Sequence, residues 1–229
     1  MPDKAVVLSG SGLSAESGLP TFRDAAGLWR QYSWMDLASP EGWRNQPRLV
    51  LEFYNERRAN AWAAEPNAAH RAIAALEKDF DVVVVTQNVD NLHERAGSTR
   101  VLHLHGELCF ARGTGPSRHR HRIDGAPIEL GQTCEEGTQL RPDIVWFGEE
   151  TQHMEEARDH VESANKVLVV GTSLSVYPAA SLVEYASPSA EKVLNSIEME
   201  SVPAGFEFLP GRATVVVPQI TARWSASRA

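Results

Sequence analysis

The chain has 229 residues, with 22 Lys+Arg against 30 Asp+Glu for a formal charge of −8. That acidic balance argues against a protein that coats nucleic acid, and direct nucleic-acid binding is not expected. At 42% hydrophobic and 23% charged, the composition is that of a globular domain large enough to bury a core. No apolar run approaches the ~18 residues that span a bilayer, so no membrane partner is expected. Two cysteines, Cys109 and Cys134, cannot make a disulfide framework, and a reducing, cytoplasmic location is the expectation.

In chain order, Ala5–Ser9 reads as a strand that runs into a glycine-rich turn, Gly10-Ser11-Gly12-Leu13-Ser14-Ala15, and a short helix. A helix near Pro47–Ala63 follows, with Pro47 at a first-turn position where its missing N–H costs nothing. Ala69, Ile73, Leu76 and Phe80 fall on one face of a helix expected over Asn67–Phe80. Asp81–Val85 is a β-branched run of the kind found in a strand buried on both faces. Residues Gly113–Gly137 lack periodicity and read as an irregular module. Order returns at Ile144–Phe147, a helix near Met154–Ala164, the strand Lys166–Val170 and a helix over Ala179–Ala186. Val193–Ile197 and Thr214–Val217 read as two further β-rich segments. Strands alternating with helices predict an α/β fold, a Rossmann-like, mostly parallel sheet with helices on both faces.

Gly10-x-Gly12-x-x-Ala15 between a strand and a helix matches the pattern by which a backbone approaches a dinucleotide pyrophosphate. An ordinary Rossmann unit, however, places its second strand soon after the first helix. Here the next strand-like run waits until Asp81, so an insertion is expected between them.

The run Gly10–Arg23 closely resembles the first signature of the sirtuins, the NAD-dependent protein deacylases. Thr86-Gln87-Asn88-Val89-Asp90-Asn91-Leu92-His93 looks like the second and His105-Gly106 the third. Arg141–Glu149 and Gly171-Thr172-Ser173 resemble the fourth and fifth, in the family's order. The resemblance implies an NAD-binding domain of residues 1–23, 66–105 and 142–229. A small domain, 24–65 and 106–141, would be made of two insertions, with the site in the cleft between the domains.

By the same resemblance, Gly10, Ser11, Gly12 and Ala15 would lie along the pyrophosphate, with Phe22 and Arg23 covering the nicotinamide end. Gly171, Thr172 and Ser173 would hold phosphate and adenine ribose, with Ala213 near the adenine. Gln87 and Asn88 would meet the nicotinamide ribose and Asp90 the carboxamide. His105 is the expected general base, because an imidazole with a pKa near ~6.5 is largely neutral at working pH; His103 is its nearest competitor.

Tyr54 and Arg57 stand at i and i+3 of a helix, hence on one face, and a phenol beside a guanidinium can clamp a carboxylate. The pair matches the Tyr-x-x-Arg of sirtuins that remove succinyl, malonyl and glutaryl groups, and Ala38 matches the small residue that makes room there. Desuccinylase and demalonylase activities are therefore expected, with deacetylation as a further one, on acylated lysine-containing proteins or peptides. Val145, Phe147, Gly148 and Glu149, with Val176 and Tyr177, match the segments that flank the bound peptide.

One element departs from the family. The first of its two zinc-binding C-x-x-C pairs falls on Gly113 and Pro116, and the second keeps only Cys134. No structural zinc is expected, although Cys109, Cys134, His119 and His121 are chemically able to bind one. The competing functional readings are an NAD-binding module without turnover and a mono-ADP-ribosyltransferase. The joint presence of Asn88, Asp90 and His105 favours turnover.

Overall fold

A computed structural model describes residues 3–21, 33–117 and 119–227. Strand β1 (Lys4–Ser9) leads into the short helix α1 (Ser11–Ala15), followed by α2 (Trp34–Leu37), α3 (Pro40–Asn45) and α4 (Pro47–Ala63). Both α3 and α4 start on proline, and the Ser39 hydroxyl caps α3 by accepting from Gly42 N at 2.9 Å. Asn67 caps α5 (Ala68–Ala75) in a reciprocal box with His70. The helix expected as far as Phe80 tightens instead into a 3₁₀ turn at Leu76–Lys78.

Then come β2 (Asp81–Thr86), α6 (Leu92–Ala96), β3 (Val101–His103), β4 (Gly106–Gly113), β5 (Arg120–Arg122) and β6 (Leu140–Ile144). The chain continues through α7 (Met154–Glu162), β7 (Lys166–Val170), a 3₁₀ segment (Ala179–Tyr185), β8 (Glu191–Ser196), β9 (Glu207–Pro210) and α8 (Ala213–Ala226).

Six strands form a parallel sheet in the order β3-β2-β1-β7-β8-β9. The β-branched runs supply it on both faces. Val7, Val84, Leu168 and Val170 pack against Ile73 of α5 and Val217, Ile220 and Trp224 of α8. Val6, Val83, Val85 and Val169 pack against Ala157 and Val161 of α7 and Leu182. Each such fully buried aliphatic contributes roughly 1.5–3 kcal/mol by removal from water. Strand order reverses between β1 and β7, the switch point outside which parallel α/β sheets bind ligands.

Thr214–Val217 is not a strand: it opens helix α8, because Val217, Ile220, Thr221 and Trp224 then bury one helical face at i, i+3, i+4 and i+7. Tertiary packing overrides the β preference of Thr-Val-Val-Val. The stretch Gly113–Gly137 is largely irregular, as read, apart from β5, which joins a second, antiparallel sheet, β5-β4-β6, whose β4 carries a register irregularity between Glu107 and Ala111.

At the end of β4 the place of one missing cysteine, Gly113, is closed by packing, whereas at Gly137 the space is open. A Cβ on Gly113 would sit 2.7 Å from both Cys134 Sγ and Thr138 Oγ1, so the thiol occupies the space a side chain there would need. Cys134 Sγ and Thr138 Oγ1 are 3.2 Å apart, and Gly115 N donates to the same hydroxyl. Among the described residues, Cys109, Cys134, His119 and His121 do not assemble into a common set of metal ligands.

Candidate active site

A cleft of about 580 Å³ opens at the switch point. Its floor is where the loops after β1 and β7 touch. Gly10 N donates to Val170 O at 3.0 Å and Gly12 N to Gly171 O at 2.8 Å. Gly171 has φ +63, and a Cβ there would fall 2.2 Å from Leu13 N, so only glycine permits this approach. Gly10, Ser11, Gly12, Ala15, Gly171, Thr172, Ser173 and Ala213 all line the cleft at this end.

Sequence reasoning missed the neighbouring Asn195, Ser196, Ile197, Glu198 and Gly211. The available signal was that the C-terminal ends of parallel strands form such a crevice, and β8 ends there. Asn195 is buried. Its Nδ2 donates to Leu209 O and Gly211 O, while Oδ1 has no partner. A buried acceptor on the wall, a glycine-lined floor and the unbranched Ala213 together fit the ADP-ribose portion of a dinucleotide.

The loop after β2 brings Gln87 and Asn88 to the middle of the cleft. Gln87 Nε2 reaches Thr172 Oγ1 at 3.3 Å. Asn88 Nδ2 donates to Gly10 O and to Ser14 Oγ, each at 3.1 Å. Ser14 Oγ in turn donates to Asp90 Oδ2 at 3.0 Å, and Leu92 N donates to Oδ1 at 3.2 Å. Asp90 is buried behind this wall and does not line the cleft, and burial raises its pKa against the hydrogen bonds that lower it. It anchors Ser14, and through it Asn88.

His105 faces the cleft from the turn between β3 and β4. Its Nδ1 donates to Gln87 O at 3.2 Å, which leaves Nε2 as the lone-pair nitrogen. Burial lowers its pKa below the usual imidazole value, opposed only by that hydrogen bond. His105 is therefore neutral near pH 7 and able to accept a proton. His103 is built differently, being buried, with Nδ1 on Asn88 O at 2.9 Å and Nε2 on Glu94 at 2.8 Å. Burial pulls its pKa down, but Glu94 and Glu107 outweigh that and the net shift is upward. A ring with both nitrogens committed is a strut, not a base.

The far end of the cleft is largely apolar and carries one phenol and one guanidinium. Tyr54 and Arg57 project from α4 beside Ala38, Trp146 and Phe147. Tyr54 is 1% exposed and edge-on to Phe53, and the Arg57 guanidinium lies 5.8 Å from the Tyr54 ring. Burial raises the Tyr54 pKa, and Arg57 lowers it only in part, so the phenol keeps its proton and can donate. Burial lowers the pKa of Arg57, while Tyr54 and Asp90 support its charge.

On the rim, Val145, Phe147, Gly148 and Glu149 face Val176 and Tyr177. The Glu149 carboxylate is already engaged, accepting from Arg141 at 2.7 and 3.0 Å and from Trp146 N at 2.8 Å. It shapes the rim segment. Phe22 and Arg23 lie outside the described residues.

Among known proteins, the model of the Sir2 family matches residues 10–178. An NAD-dependent protein deacylase of Helicobacter pylori strain J99 is 51% identical over 185 residues, covering 81% of this chain and 79% of the relative. A solved Sir2 homolog–NAD complex superposes with a TM-score of 0.88 at 35% identity, over 100% of this chain and 91% of that one. A structure of Sir2 bound to acetylated peptide gives 0.79 at 26% identity, over 96% and 92%.

Proposed function

Because this chain belongs to the Sir2 family, we propose that it is an NAD-dependent protein-lysine deacylase whose acyl pocket takes succinyl and malonyl groups, with acetyl as a further substrate. The observation that carries the reading is one cleft holding a neutral His105 with a free Nε2, the anchored Asn88, and the Tyr54–Arg57 pair at its apolar end.

NAD, when bound, supplies an electrophilic ribose carbon, a nicotinamide leaving group and the ribose hydroxyl that carries the acyl group away. The protein's part is positioning, proton transfer and recognition. Gly10, Ser11, Gly12, Ala15, Gly171, Thr172, Ser173 and Ala213 hold the ADP-ribose portion against the switch-point floor. Gln87 and Asn88 fix the nicotinamide ribose, and Asp90 serves that end. Phe22 and Arg23, from the first signature, belong to the same end by resemblance.

His105 Nε2 takes the proton from a ribose hydroxyl, for which a neutral imidazole pinned at Nδ1 is suited. The acylated lysine peptide lies between Val145–Glu149 and Val176–Tyr177 as an added strand, so backbone hydrogen bonds supply affinity with little demand on sequence. The acyl chain passes Ala38, and its carboxylate meets the Arg57 guanidinium and the Tyr54 hydroxyl. One water would be consumed, and the products would be the peptide with its lysine amine restored, nicotinamide and O-acyl-ADP-ribose. On this reading residues 1–23, 66–105 and 142–229 form the NAD-binding domain, and 24–65 with 106–141 the small one.

Mass spectrometry of acetyl-, succinyl- and malonyl-lysine peptides, incubated with and without NAD, tests the proposal. NAD-dependent loss of the acyl mass with acyl-ADP-ribose appearing is the expected result. A folded protein that leaves all three peptides intact overturns it. Nicotinamide release with label moving to protein would favour the transferase reading instead.

A further inference from the structure

A buried hydrogen-bond chain runs from the Asn88 peptide to a histidine that has no part in the roles above. The Asn88 N–H donates to Thr86 Oγ1 at 3.0 Å, and the same oxygen accepts from Ser9 Oγ at 2.8 Å. With its proton committed to Thr86, Ser9 Oγ accepts from His93 Nε2, 2.9 Å away. His93 is thereby fixed as the Nε2–H tautomer, and its buried Nδ1 is a lone pair with no partner.

The ring facing it is His70, at 5.0 Å between centroids and 69° between planes. His70 Nδ1 accepts from Asn67 N, so its proton sits on Nε2, which also lacks a partner. The two leftover atoms are a donor and an acceptor on neighbouring rings, a complementary pair. Both rings are buried, and burial first, then neighbouring positive charge, lowers their pKa values, that of His70 to about 4. Neither carries charge at neutral pH, so the tautomer assignment stands.

A leucine at 93 would fill this volume without adding an unpaired polar atom of its own. What leucine cannot do is hold Ser9, and through Thr86 the Asn88 N–H. The other end of the same residue is also tied, since Asn88 O accepts from His103 Nδ1 at 2.9 Å. His103 already braces the carbonyl side, and the His93 chain braces the amide side.

We infer that His93 is a positioning residue: through Ser9 and Thr86 it fixes the Asn88 main chain, and with it the Gln87 and Asn88 side chains that face the cleft. Its effect on turnover rests on the deacylase reading, and its effect on the Asn88 amide does not.

His93→Gln keeps a donor near the Nε2 position and His93→Leu removes it, while Ser9→Ala cuts the chain one link further on. In the Leu variant the kcat for NAD-dependent nicotinamide release should fall roughly tenfold or more, with the peptide KM within about twofold. The Gln variant should stay within about threefold of the parent. Ser9→Ala should match the Leu variant, and the double variant should be no worse than either alone.

Hydrogen exchange at the Asn88 amide is the readout independent of activity. Protection should drop in the Leu and Ala variants and persist in the Gln variant, with other β2 amides unchanged. Equal kcat losses in the Gln and Leu variants, or a folded Leu or Ala variant with parental Asn88 protection, overturn the inference. A parent inactive on every acyl peptide overturns the deacylase reading alone, and the exchange pattern still decides for or against His93.

Discussion

Replacing Arg57 by Met separates recognition of the acyl carboxylate from everything else the cleft does. Methionine keeps an unbranched apolar stem beside Phe53, whose ring lies 5.5 Å from the guanidinium, and removes only the charge. Arg57 is half-buried and its pKa is lowered first by that burial, so part of the cost of drying the cation is met when the protein folds. Truncating one partner of a buried, hydrogen-bonded charge pair costs about 2–5 kcal/mol. The partial exposure of Arg57 puts it in the lower half, about 2–3 kcal/mol. At about 1.36 kcal/mol per factor of ten, kcat/KM on a succinyl-lysine peptide should fall roughly 30- to 160-fold. An acetyl group presents no carboxylate, so kcat/KM on the matched acetyl peptide should stay within about threefold. The assay is initial-rate product formation on the two peptides at saturating NAD. Losses of similar size on both would refute the clamp and make Arg57 a residue that merely shapes the pocket.

Three further predictions follow from the geometry. His105 must be neutral to accept a proton and its pKa is lowered by burial, so the acid limb of the kcat/KM profile should fall below pH 6.5; a limb above 6.5 would point to another base. His103 has a raised folded pKa, so its pairing with Glu94 stabilises the fold fully below the unfolded value near ~6.5 and fades as pH climbs through the folded pKa. The melting-temperature advantage of the parent over Glu94→Gln should accordingly be largest near pH 6 and shrink on the alkaline side, whereas a constant gap up to pH 9 would contradict it. Gly171→Ala forces a Cβ to 2.2 Å from Leu13 N at φ +63, and should cost at least ~2 kcal/mol, about 4–8 °C in melting temperature; an unchanged melt would mean the two loops separate freely.

The elements legible in the sequence were those whose local preference and buried position agree. Val6-Val7, Val82–Val85 and Val167–Val170 are continuous aliphatic runs, nearly all valine, because both faces of their strands are covered, so composition alone betrays them. Thr214–Val217 carries the same local signal, yet it starts a helix, because its neighbours Ile220 and Trp224 make burial pay only on a 3.6-residue period. Strand β9 went unread: Glu207 and Pro210 flank just two apolar residues, and its pairing with β8 exists only once β8 is in place. β4 was hidden by its register irregularity, which breaks the two-residue alternation that would have announced it. In the site, cleft residues within the recognisable motifs were found and Asn195 was not, since a lone asparagine at a strand end looks like any turn residue. Asp90 was placed in the cleft by resemblance, whereas it stands behind the wall, a distinction of depth that no one-dimensional pattern encodes.

The sheet order also sets a timetable for biosynthesis. β1 is translated first among the strands yet lies between β2 and β7, and Ala5 has to wait for Lys166 before its second edge is covered. Until then the nascent chain carries an open edge of consecutive aliphatic residues, the kind of surface that pairs with other chains. Such long-range parallel pairing is slow to form. The cleft floor inherits the delay, because Gly10 finds its carbonyl partner at the end of β7 and Gly12 on the loop that leaves it. A polypeptide released before that loop would hold a complete glycine-rich motif and no competent floor, and its exposed valines would make it a client for chaperones or proteases.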